Sequence, residues 1–440
     1  MTKLSDKERC ENMRSRAVAE CERFFRNADL ICARPDIAQN IHHLTLSTWG
    51  TTDLRRTLWG SPEDVNNLDK LIIGRMRDVA VKTPGVTKLT LENIVLTVEL
   101  AEAIFALPGL SYLAIIDCTV DFGDREPRNL PARLEHLMLK CYSVLVPHGA
   151  HNHWEILHYL PSLRWLCVKG ADYVYSLPSD TVIARTAPFA TLQRLQIEGL
   201  DKTNVADDDE PWKLVMLLHS APELHLTHVN LHFSDGLPEF ETFALIYALQ
   251  RAPLRLLVLK GIDCAHTHLI EYIAEAFPEL FGLTLSYRES PLQQRLREAS
   301  WPCSSWEYAA CLARFSRLEH FGWNYRIEGT ASPAVMLHFE GGFCGEGCVH
   351  DTVDADFDEL ETLLPLFAAY CPTLRSLAFE GSGGFPDPLC TIARDAQGKT
   401  TFEICRSLPS GRHPKRREHS ERYCPETQEA WPLLDSRTSD

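Results

Sequence analysis

Residues 160–170 read LPSLRWLCVKG, and this stretch sets the pattern for most of the chain. An apolar residue and a proline come first. Three apolar positions follow in the spacing L-x-x-L-x-V, at Leu163, Leu166 and Val168, and a glycine closes the phrase. Side chains two positions apart on a strand share a face, so we expect Leu166 and Val168 to point the same way. Leu163 is expected to turn inward where the strand begins. The phrase therefore predicts one short strand with a single apolar face.

The same phrase recurs along the chain at a regular interval. Successive copies begin their apolar ladder at Leu110, Leu134, Leu163 and Leu192, so the steps are 24, 29 and 29 residues. Later copies begin at Leu254, Leu280, Leu318 and Leu374. A period in the twenties with L-x-x-L-x-L spacing is typical of leucine-rich repeats, each with one strand and one helix. Because one repeat cannot cover its own apolar face, we expect stacked repeats to bury it.

The segments between the ladders have the apolar spacing of helices. Three of them carry the groups Ile156, Leu157 and Leu160; Leu269, Ile270, Ile273 and Phe277; and Leu360, Leu363, Leu364 and Phe367. A proline after each segment ends the helix, because proline lacks an amide donor and clashes with the preceding turn. The sequence thus predicts an α/β leucine-rich-repeat solenoid, a horseshoe with a parallel sheet on its concave side and helices outside.

Domain boundaries are predicted where this repeat begins and fades. Residues 1–40 read as a helical segment, either a cap of the array or an F-box remnant, and residues 41–385 as the solenoid, irregular after residue 286. Residues 334–340 read as an irregular strand within it. Residues 386–405 are predicted to form a capping hairpin. Residues 406–440 are polar, include Lys415-Arg416-Arg417, and are predicted to be a disordered tail.

Composition and charge exclude several classes of protein. The 440 residues carry a net charge of -16, which argues against a generally basic nucleic-acid binder. No run of about 18 apolar residues predicts a membrane span, and the N-terminus lacks the apolar region of a signal peptide. The 15 cysteines are an odd number scattered along a long chain, so we expect reduced thiols in the cytoplasm or the nucleus.

No motif for catalysis, a cofactor or a metal survives inspection. Cys344, Cys348 and His350 have the right ligand types, but no second pair follows at a zinc-site spacing, so a glycine-rich loop is expected. Asp354-x-Asp356-x-Asp358 resembles the start of a calcium loop but lacks its glycine and glutamate, so we expect an acidic helix start. His148, His151 and His153 have no acidic or cysteine partner at ligand spacing. The protein is expected to be non-enzymatic, without cofactor or metal.

The order of these features resembles the fungal F-box/leucine-rich-repeat proteins over roughly residues 30–405. The resemblance rests on Arg34-Pro35-Asp36-Ile37-Ala38 followed by Leu44-Thr45-Leu46, on the repeated Pro-x-Leu-x-x-Leu units, and on Arg394-Asp395 with Gly398. It implies an adaptor of an SCF-type ubiquitin ligase, in which an F-box holds Skp1 and the repeats present a target protein.

The sequence departs from that family at its N-terminus. A complete F-box, which usually opens with a Leu-Pro phrase, is not visible before Ile41. Three alternatives remain open: the box has been lost, the start of the chain is truncated, or residues 5–30 are its remnant. A repeat scaffold with no ubiquitin role is the competing interpretation, and Skp1 binding separates the two.

Residues beside the inward leucines are expected on the opposite, concave face of the sheet, exposed to a protein target. Before the second ladder position lie Tyr112, His136, Trp165, Arg194 and His320; after the third lie Lys140, Lys169, Glu198 and Lys260. Trp, Tyr and Arg are the types enriched at binding hot spots. The alternative is that some of these side chains are covered by loops or by each other. We predict that this face binds a protein and binds neither nucleic acid nor a membrane.

Overall fold

A computed structural model describes residues 6–48, 62–122, 133–141, 154, 156–157, 159–170, 177, 188–200, 210–288, 299–325, 360–379 and 389–405. The chain divides into two compact units, Met1–Gly199 and Leu200–Asp440. Their boundary falls inside the region 41–385 that the repeat pattern groups into one solenoid, so the predicted domain division stays a prediction.

The first unit alternates helices with strands. Its helices are α1 (Asp6–Ala33), α2 (Pro35–Ala38), α3 (Pro62–Lys82) and α4 (Val98–Phe105). Its strands are β1 (His43–Ser47), β2 (Lys88–Glu92), β3 (Val95–Thr97), β4 (Tyr112–Ile116), β5 (Thr119–Asp121), β6 (His136–Cys141), β7 (Trp165–Gly170) and β8 (Arg194–Leu200). Strands β3 and β5 pair with each other, and the others form one parallel sheet in chain order.

The leucine ladder holds this sheet in register. The second ladder positions of β2, β4, β6, β7 and β8 pair across neighbouring strands and are at most 2% exposed: Leu89, Leu113, Leu137, Leu166 and Leu195. Each leucine buried in this way stabilises the fold by about 1.5–3 kcal/mol. In-register parallel strands in chain order confirm, within this unit, the predicted α/β leucine-rich-repeat solenoid.

Helix α4 shows how one repeat closes on its core. The Leu100 N–H donates to Thr97 Oγ1 at 3.5 Å, so the threonine caps the first turn. Leu100 and Ile104 lie one turn apart on the helix and are both buried. The helix ends at Phe105, shortly before Pro108, as the proline rule predicts.

The segment before β7 does not form the predicted α-helix. Its described residues Trp154, Ile156, Leu157 and Tyr159 adopt 3₁₀-helical conformation instead. Trp154 and Tyr159 are at most 1% exposed, and the Tyr159 ring stacks on Phe105 with centroids 4.7 Å apart. These described residues place large rings in the core from a 3₁₀ conformation, so the prediction of an α-helix is wrong at these positions.

The second unit repeats the alternation. Its helices are α5 (Glu210–Ser220), α6 (Glu239–Leu249), α7 (Thr267–Ala276), α8 (Ser305–Leu312) and α9 (Leu360–Tyr370). Its strands are β9 (His228–Leu237), β10 (Leu256–Ile262), β11 (Gly282–Tyr287), β12 (His320–Trp323), β13 (Ser376–Phe379), β14 (Leu389–Arg394) and β15 (Thr400–Cys405). Strands β9 to β13 are parallel and in chain order, so the predicted repeat architecture is confirmed here too.

Aromatic side chains replace leucines in the ladder toward the end of this unit. Phe321 and Trp323 of β12 occupy ladder positions, and the Trp323 ring lies 5.7 Å from Tyr308 and 5.2 Å from Phe367. Asn324 follows directly and is fully buried. Trp323 thus packs against Tyr308 of α8 and Phe367 of α9 from a ladder position that carries a leucine in the neighbouring strand β11.

Strands β14 and β15 form an antiparallel hairpin, and β14 pairs with β13. Asp395 organises the turn, because its Oδ1 accepts the N–H groups of Gln397 at 2.9 Å and Lys399 at 2.8 Å. Gly398 adopts a φ of +79°, which favours glycine. The hairpin provides partners for backbone groups of β13 that would otherwise lie at a sheet edge.

Several segments that the sequence singles out lie outside the described residues. They are the strand at 334–340, the Cys344–His350 motif, Asp354–Asp358, the histidines at 148–153 and the tail 406–440. None of the helices within the described ranges is both long and apolar enough to cross a membrane.

Candidate protein-binding face

The face of the first-unit sheet opposite the leucine ladder, called here the open face, carries three rows of side chains in register. The first row is Tyr112, His136, Trp165 and Arg194; the middle row is Ala114, Met138, Cys167 and Gln196; the third row is Ile116, Lys140, Lys169 and Glu198. Neighbouring strands lie about 4.8 Å apart, so the side chains of one row are neighbours across the sheet. Seven of the residues predicted from sequence are thereby brought onto this one face.

The first row is a stack centred on Trp165. The His136 and Trp165 rings lie 3.9 Å apart, centroid to centroid, with an interplanar angle of 17°. On the other side of the indole, the Arg194 guanidinium carbon lies 4.1 Å from the ring centroid. A cation over an indole contributes about 0.5–2 kcal/mol, more when both groups are out of water. The stack therefore fixes the orientation of one side chain on each of three neighbouring strands, β6, β7 and β8.

The third row carries more positive than negative charge. Lys169 Nζ lies 2.7 Å from Glu198 Oε1, and the same oxygen accepts the Gln196 Nε2 amide at 2.7 Å. The Lys169 side chain is only 9% exposed, so water screens this ion pair little. Lys140 is in register with Lys169 and half-buried, and no ion pair to a described residue is seen for it. The row thus carries two cations against one carboxylate.

The middle row is the part of the face that the sequence analysis missed. Ala114, Met138 and Cys167 form a buried cluster, against which Tyr112 packs with its hydroxyl 3.8 Å from Met138 Sδ. Burial raises the pKa of the Cys167 thiol to about 12, so the thiol stays protonated and unreactive. Strict two-residue alternation from the first row would have found these positions.

Gln196 ends the middle row and is fully buried. Its Nε2 donates to Glu198, which fixes the orientation of the amide. Within the described part of the chain, its Oε1 has no hydrogen-bond partner. A buried acceptor left unpaired costs about 1–3 kcal/mol. A hydrogen-bond donor brought to Gln196 Oε1 would therefore remove this cost.

The exposure expected for several site residues is wrong. Trp165, Arg194 and Lys169 are 7%, 3% and 7% exposed, because in-register neighbours cover one another's surfaces. The alternative considered from sequence, that these side chains cover each other, describes them correctly. Tyr112, His136, Lys140 and Glu198 remain half-buried, and together with Ile116 of the third row they are the part of the open face that solvent reaches.

The remaining two predicted residues belong to the second unit. His320 of β12 is 6% exposed, so its expected exposure is also wrong; its Nδ1 lies 2.6 Å from Ser376 Oγ, and its ring meets the edge of Phe281. Lys260 of β10 is half-buried. Strand β11 separates them and contributes Gly282 and Thr284 to the same face. The structure therefore does not gather His320 and Lys260 into one cluster.

Metal-ligating side chains do not converge in the described ranges: no three His, Cys, Asp or Glu residues come together there. Cysteines among the described side chains, such as Cys167 and Cys264, are free thiols. Burial raises the pKa of Cys264 to about 11.

Comparison with known proteins gives little guidance. No protein-family model and no curated protein sequence matches the chain. Among solved structures, the chain is similar to the complex of Rad7 and Elc1 in yeast, with 13% identity and a TM-score of 0.35 over 73% of this chain and 74% of that one. It is also similar to the TLR13–ssRNA13 complex, with 16% identity and a TM-score of 0.35 over 56% of this chain and 37% of that one. The fold assignment rests on the strand order and the leucine register described above.

Proposed function

We propose that this protein is a non-enzymatic recognition module and that a protein target binds the open face of its first unit. The observation that supports this proposal is the arrangement of the half-buried Tyr112, His136, Lys140 and Glu198 over a buried support. Repeat proteins use such sheet faces as extended binding surfaces.

The buried residues explain how the accessible ones become a binding surface. Trp165 holds the His136 ring from one side by stacking, so His136 loses little side-chain freedom when a target binds. Binding energy that is not spent on ordering side chains remains available as affinity. Trp165 and Arg194 thus act as positioning residues, and His136 is the residue offered to the target.

Charge indicates what the target presents. Glu198 is already paired with Lys169, whereas the neighbouring Lys140 has no ion pair to a described residue. A carboxylate on the target would pair with Lys140 at a half-buried position, where the interaction is stronger than at an open surface. We propose a target with an acidic side chain next to a planar or aromatic group that covers Tyr112 and His136.

The test compares variants that leave the buried support intact. Cross-linked partners of the wild type are captured from native extract and identified by mass spectrometry, beside His136→Ala/Lys140→Ala. Lys260→Ala is the matched control, since Lys260 is a half-buried lysine on the second unit's sheet. We expect one protein to be lost only with the first-unit variant. Equal recovery from all three proteins, or equal loss with Lys260→Ala, contradicts the proposal.

A finer form of the proposal is a substrate receptor of an SCF-type ubiquitin ligase, in the cytoplasm or nucleus. It rests on the sequence resemblance and on apolar surface near the N-terminus: Leu30 of α1 is 52% exposed and Ile37 of α2 is 36% exposed. Such side chains suit a helical partner, and Skp1 is the partner that the resemblance implies.

Skp1 recovery decides between this role and a repeat scaffold with no ubiquitin role. Co-expressed Skp1 should copurify with the wild type and with Val81→Asp, whose valine is 62% exposed on α3, but not with Leu30→Asp. Absence of Skp1 from the wild type would retire the ubiquitin role and leave the target-binding proposal standing.

A further inference from the structure

Strand β1 is the first strand of its sheet, and within the described part of the chain it has a neighbouring strand, β2, on one side only. At the end of β1 the Thr48 N–H donates to Glu92 O of β2 at 3.1 Å. Backbone groups of successive strand residues alternate between the two edges of the strand. The N–H and C=O groups of His43, Thr45 and Ser47 therefore point away from β2, along the outer edge of the sheet.

The leucine ladder is incompletely covered at β1. Leu44 is half-buried, whereas its register partner Leu89 in β2 and the next ladder residue, Leu113 in β4, are fully buried. Leu89 has a strand on both sides, and Leu44 has a described strand on one. One more strand beside β1 would cover Leu44 in the way that β1 and β4 cover Leu89.

A groove of about 470 Å³ lies along this edge, between β1 and α1. Leu46, together with Ile72 and Val79 of α3, lines the groove and is at most 4% exposed, so these three side chains form an apolar floor. Phe24 and Ile31 line the groove from α1. Its volume is within the range of about 300–1,000 Å³ that is usual for binding sites.

The backbone of β1, rather than charge, selects what fits this groove. Glu20 and Arg23 are the charged side chains among its described lining residues, and they pair with each other, with Arg23 Nη1 3.8 Å from Glu20 Oε2. The donors and acceptors of Thr45 and Ser47 match the main chain of an extended peptide. A helix cannot answer them, because its own backbone groups are already bonded internally.

We propose that the groove between α1 and β1 binds an extended segment of a partner protein, which pairs with the outer edge of β1 as one more strand of the sheet. Apolar side chains at alternate positions of that segment would continue the ladder beyond Leu44 and Leu46 and contact the groove floor. Strand β1 has five residues and is about 16 Å long, so the paired segment has about five residues as well. The inference does not depend on the target proposed for the open face, whose side chains lie on β4 to β8.

Selection of linear peptides tests the proposal with the full chain. A displayed library of peptides of about eight residues is selected on the wild type, and retained peptides are measured by fluorescence anisotropy on Thr45→Pro and Thr45→Ala. Proline removes the outward N–H at a position where an edge strand tolerates it, and alanine is the matched control because it keeps that N–H. We expect the affinity to fall about tenfold or more on Thr45→Pro and less than about twofold on Thr45→Ala.

A second measurement uses the wild type alone, so it does not depend on the folding of a variant. Each amide of a retained peptide is N-methylated in turn. Every second residue of a paired strand bonds to its neighbour, so methylation should weaken binding at alternate positions and be tolerated at the positions between them. Circular dichroism melts of Thr45→Pro and Thr45→Ala show whether both variants fold, and the alternation decides if the proline variant does not.

Three results overturn the proposal: equal affinity for folded Thr45→Pro and Thr45→Ala, methylation effects without a two-residue alternation, and retention of no peptide by the wild type. Sedimentation of the wild type as a dimer that Thr45→Pro dissociates and Thr45→Ala does not would also overturn it, by assigning the edge of β1 to a second copy of the chain.

Discussion

Two glycines at equivalent places in the repeat offer a direct test of how tightly neighbouring strands approach. Gly199 in β8 follows Glu198 and Gly261 in β10 follows Lys260, and each glycine has a φ of +81°. The register of β10 against both neighbours shifts at Gly261, which makes it a glycine bulge. Among the described residues, a Cβ added at Gly199 would meet the Gly170 oxygen, 3.8 Å away, and no other atom within 4 Å. At Gly261 it would overlap the Phe233 carbonyl oxygen and lie 3.1 Å from the Phe233 carbon.

Both substitutions therefore lower stability through the positive φ, and Gly261→Ala has a further cost from overlap with the Phe233 backbone. The positive φ costs an alanine about 1–2 kcal/mol, and the reduced freedom of the unfolded chain returns about 0.4–1 kcal/mol. Gly199→Ala should lower the free energy of unfolding by about 1 kcal/mol. Gly261→Ala adds about 1–3 kcal/mol, because the overlapping atom is backbone and cannot rotate away.

Urea unfolding followed by circular dichroism measures the total change in the free energy of unfolding. Amide hydrogen exchange in peptides that cover β8 and β10 shows which of the two units has lost stability. Gly398→Ala, at φ +79° with no atom of the described part of the chain within 4 Å of an added Cβ, is a second control. Equal losses for Gly199→Ala and Gly261→Ala would refute the bulge geometry and the close approach of β9.

Three further predictions concern the cores of the two units. Leu166→Asp places a carboxylate where the leucine is 2% exposed, so the first unit should lose its cooperative melt; a wild-type melting temperature contradicts the register. Because burial raises the pKa of Cys167 to about 12 from about 9, its stability contribution is complete below pH 9 and is lost as pH rises. Other buried thiols such as Cys118 also lower the stability between about pH 8.5 and about pH 10.5, so the loss measured by urea unfolding should be about 2 kcal/mol smaller in Cys167→Ala than in Cys303→Ala; identical losses in the two variants would refute it. Asn324→Ala should cost about 3 kcal/mol in urea unfolding, since the Asn324 amide exchanges hydrogen bonds of 2.8 and 2.6 Å with the Tyr287 backbone; a cost below about 1 kcal/mol would contradict their importance.

The strand register could be predicted from sequence because the leucine spacing encodes it directly. Leu166 and Val168 share a face whatever their neighbours are, and the same phrase in the next repeat lies beside them. The closing glycine of the phrase was visible too, although its positive φ at Gly199 and Gly261 depends on how the chain leaves the sheet. Spacing also identified helix α7, whose Leu269, Ile270 and Ile273 are fully buried.

Burial of the site residues could not be predicted in the same way. Trp165 was expected to be exposed because it alternates with the buried Leu166, and alternation describes only one strand. Its cover comes from His136 and Arg194, which are 29 residues away on either side in sequence and adjacent in the sheet. Stacking the copies in register, rather than reading each one alone, would have placed an imidazole and a guanidinium on the two faces of that indole.

The open face combines a buried support with accessible groups that are mostly polar. Trp165 and Arg194 are buried, whereas Lys140 and His136 are half-buried, and Ile116 is a half-buried apolar side chain beside them. Specificity at this face therefore comes from preorganised charge around Lys140 and His136. A target that pairs with Lys140 is acidic, so added salt should weaken its binding to the wild type more than to His136→Ala/Lys140→Ala. Equal salt dependence for the two proteins would mean that the charge argument is wrong.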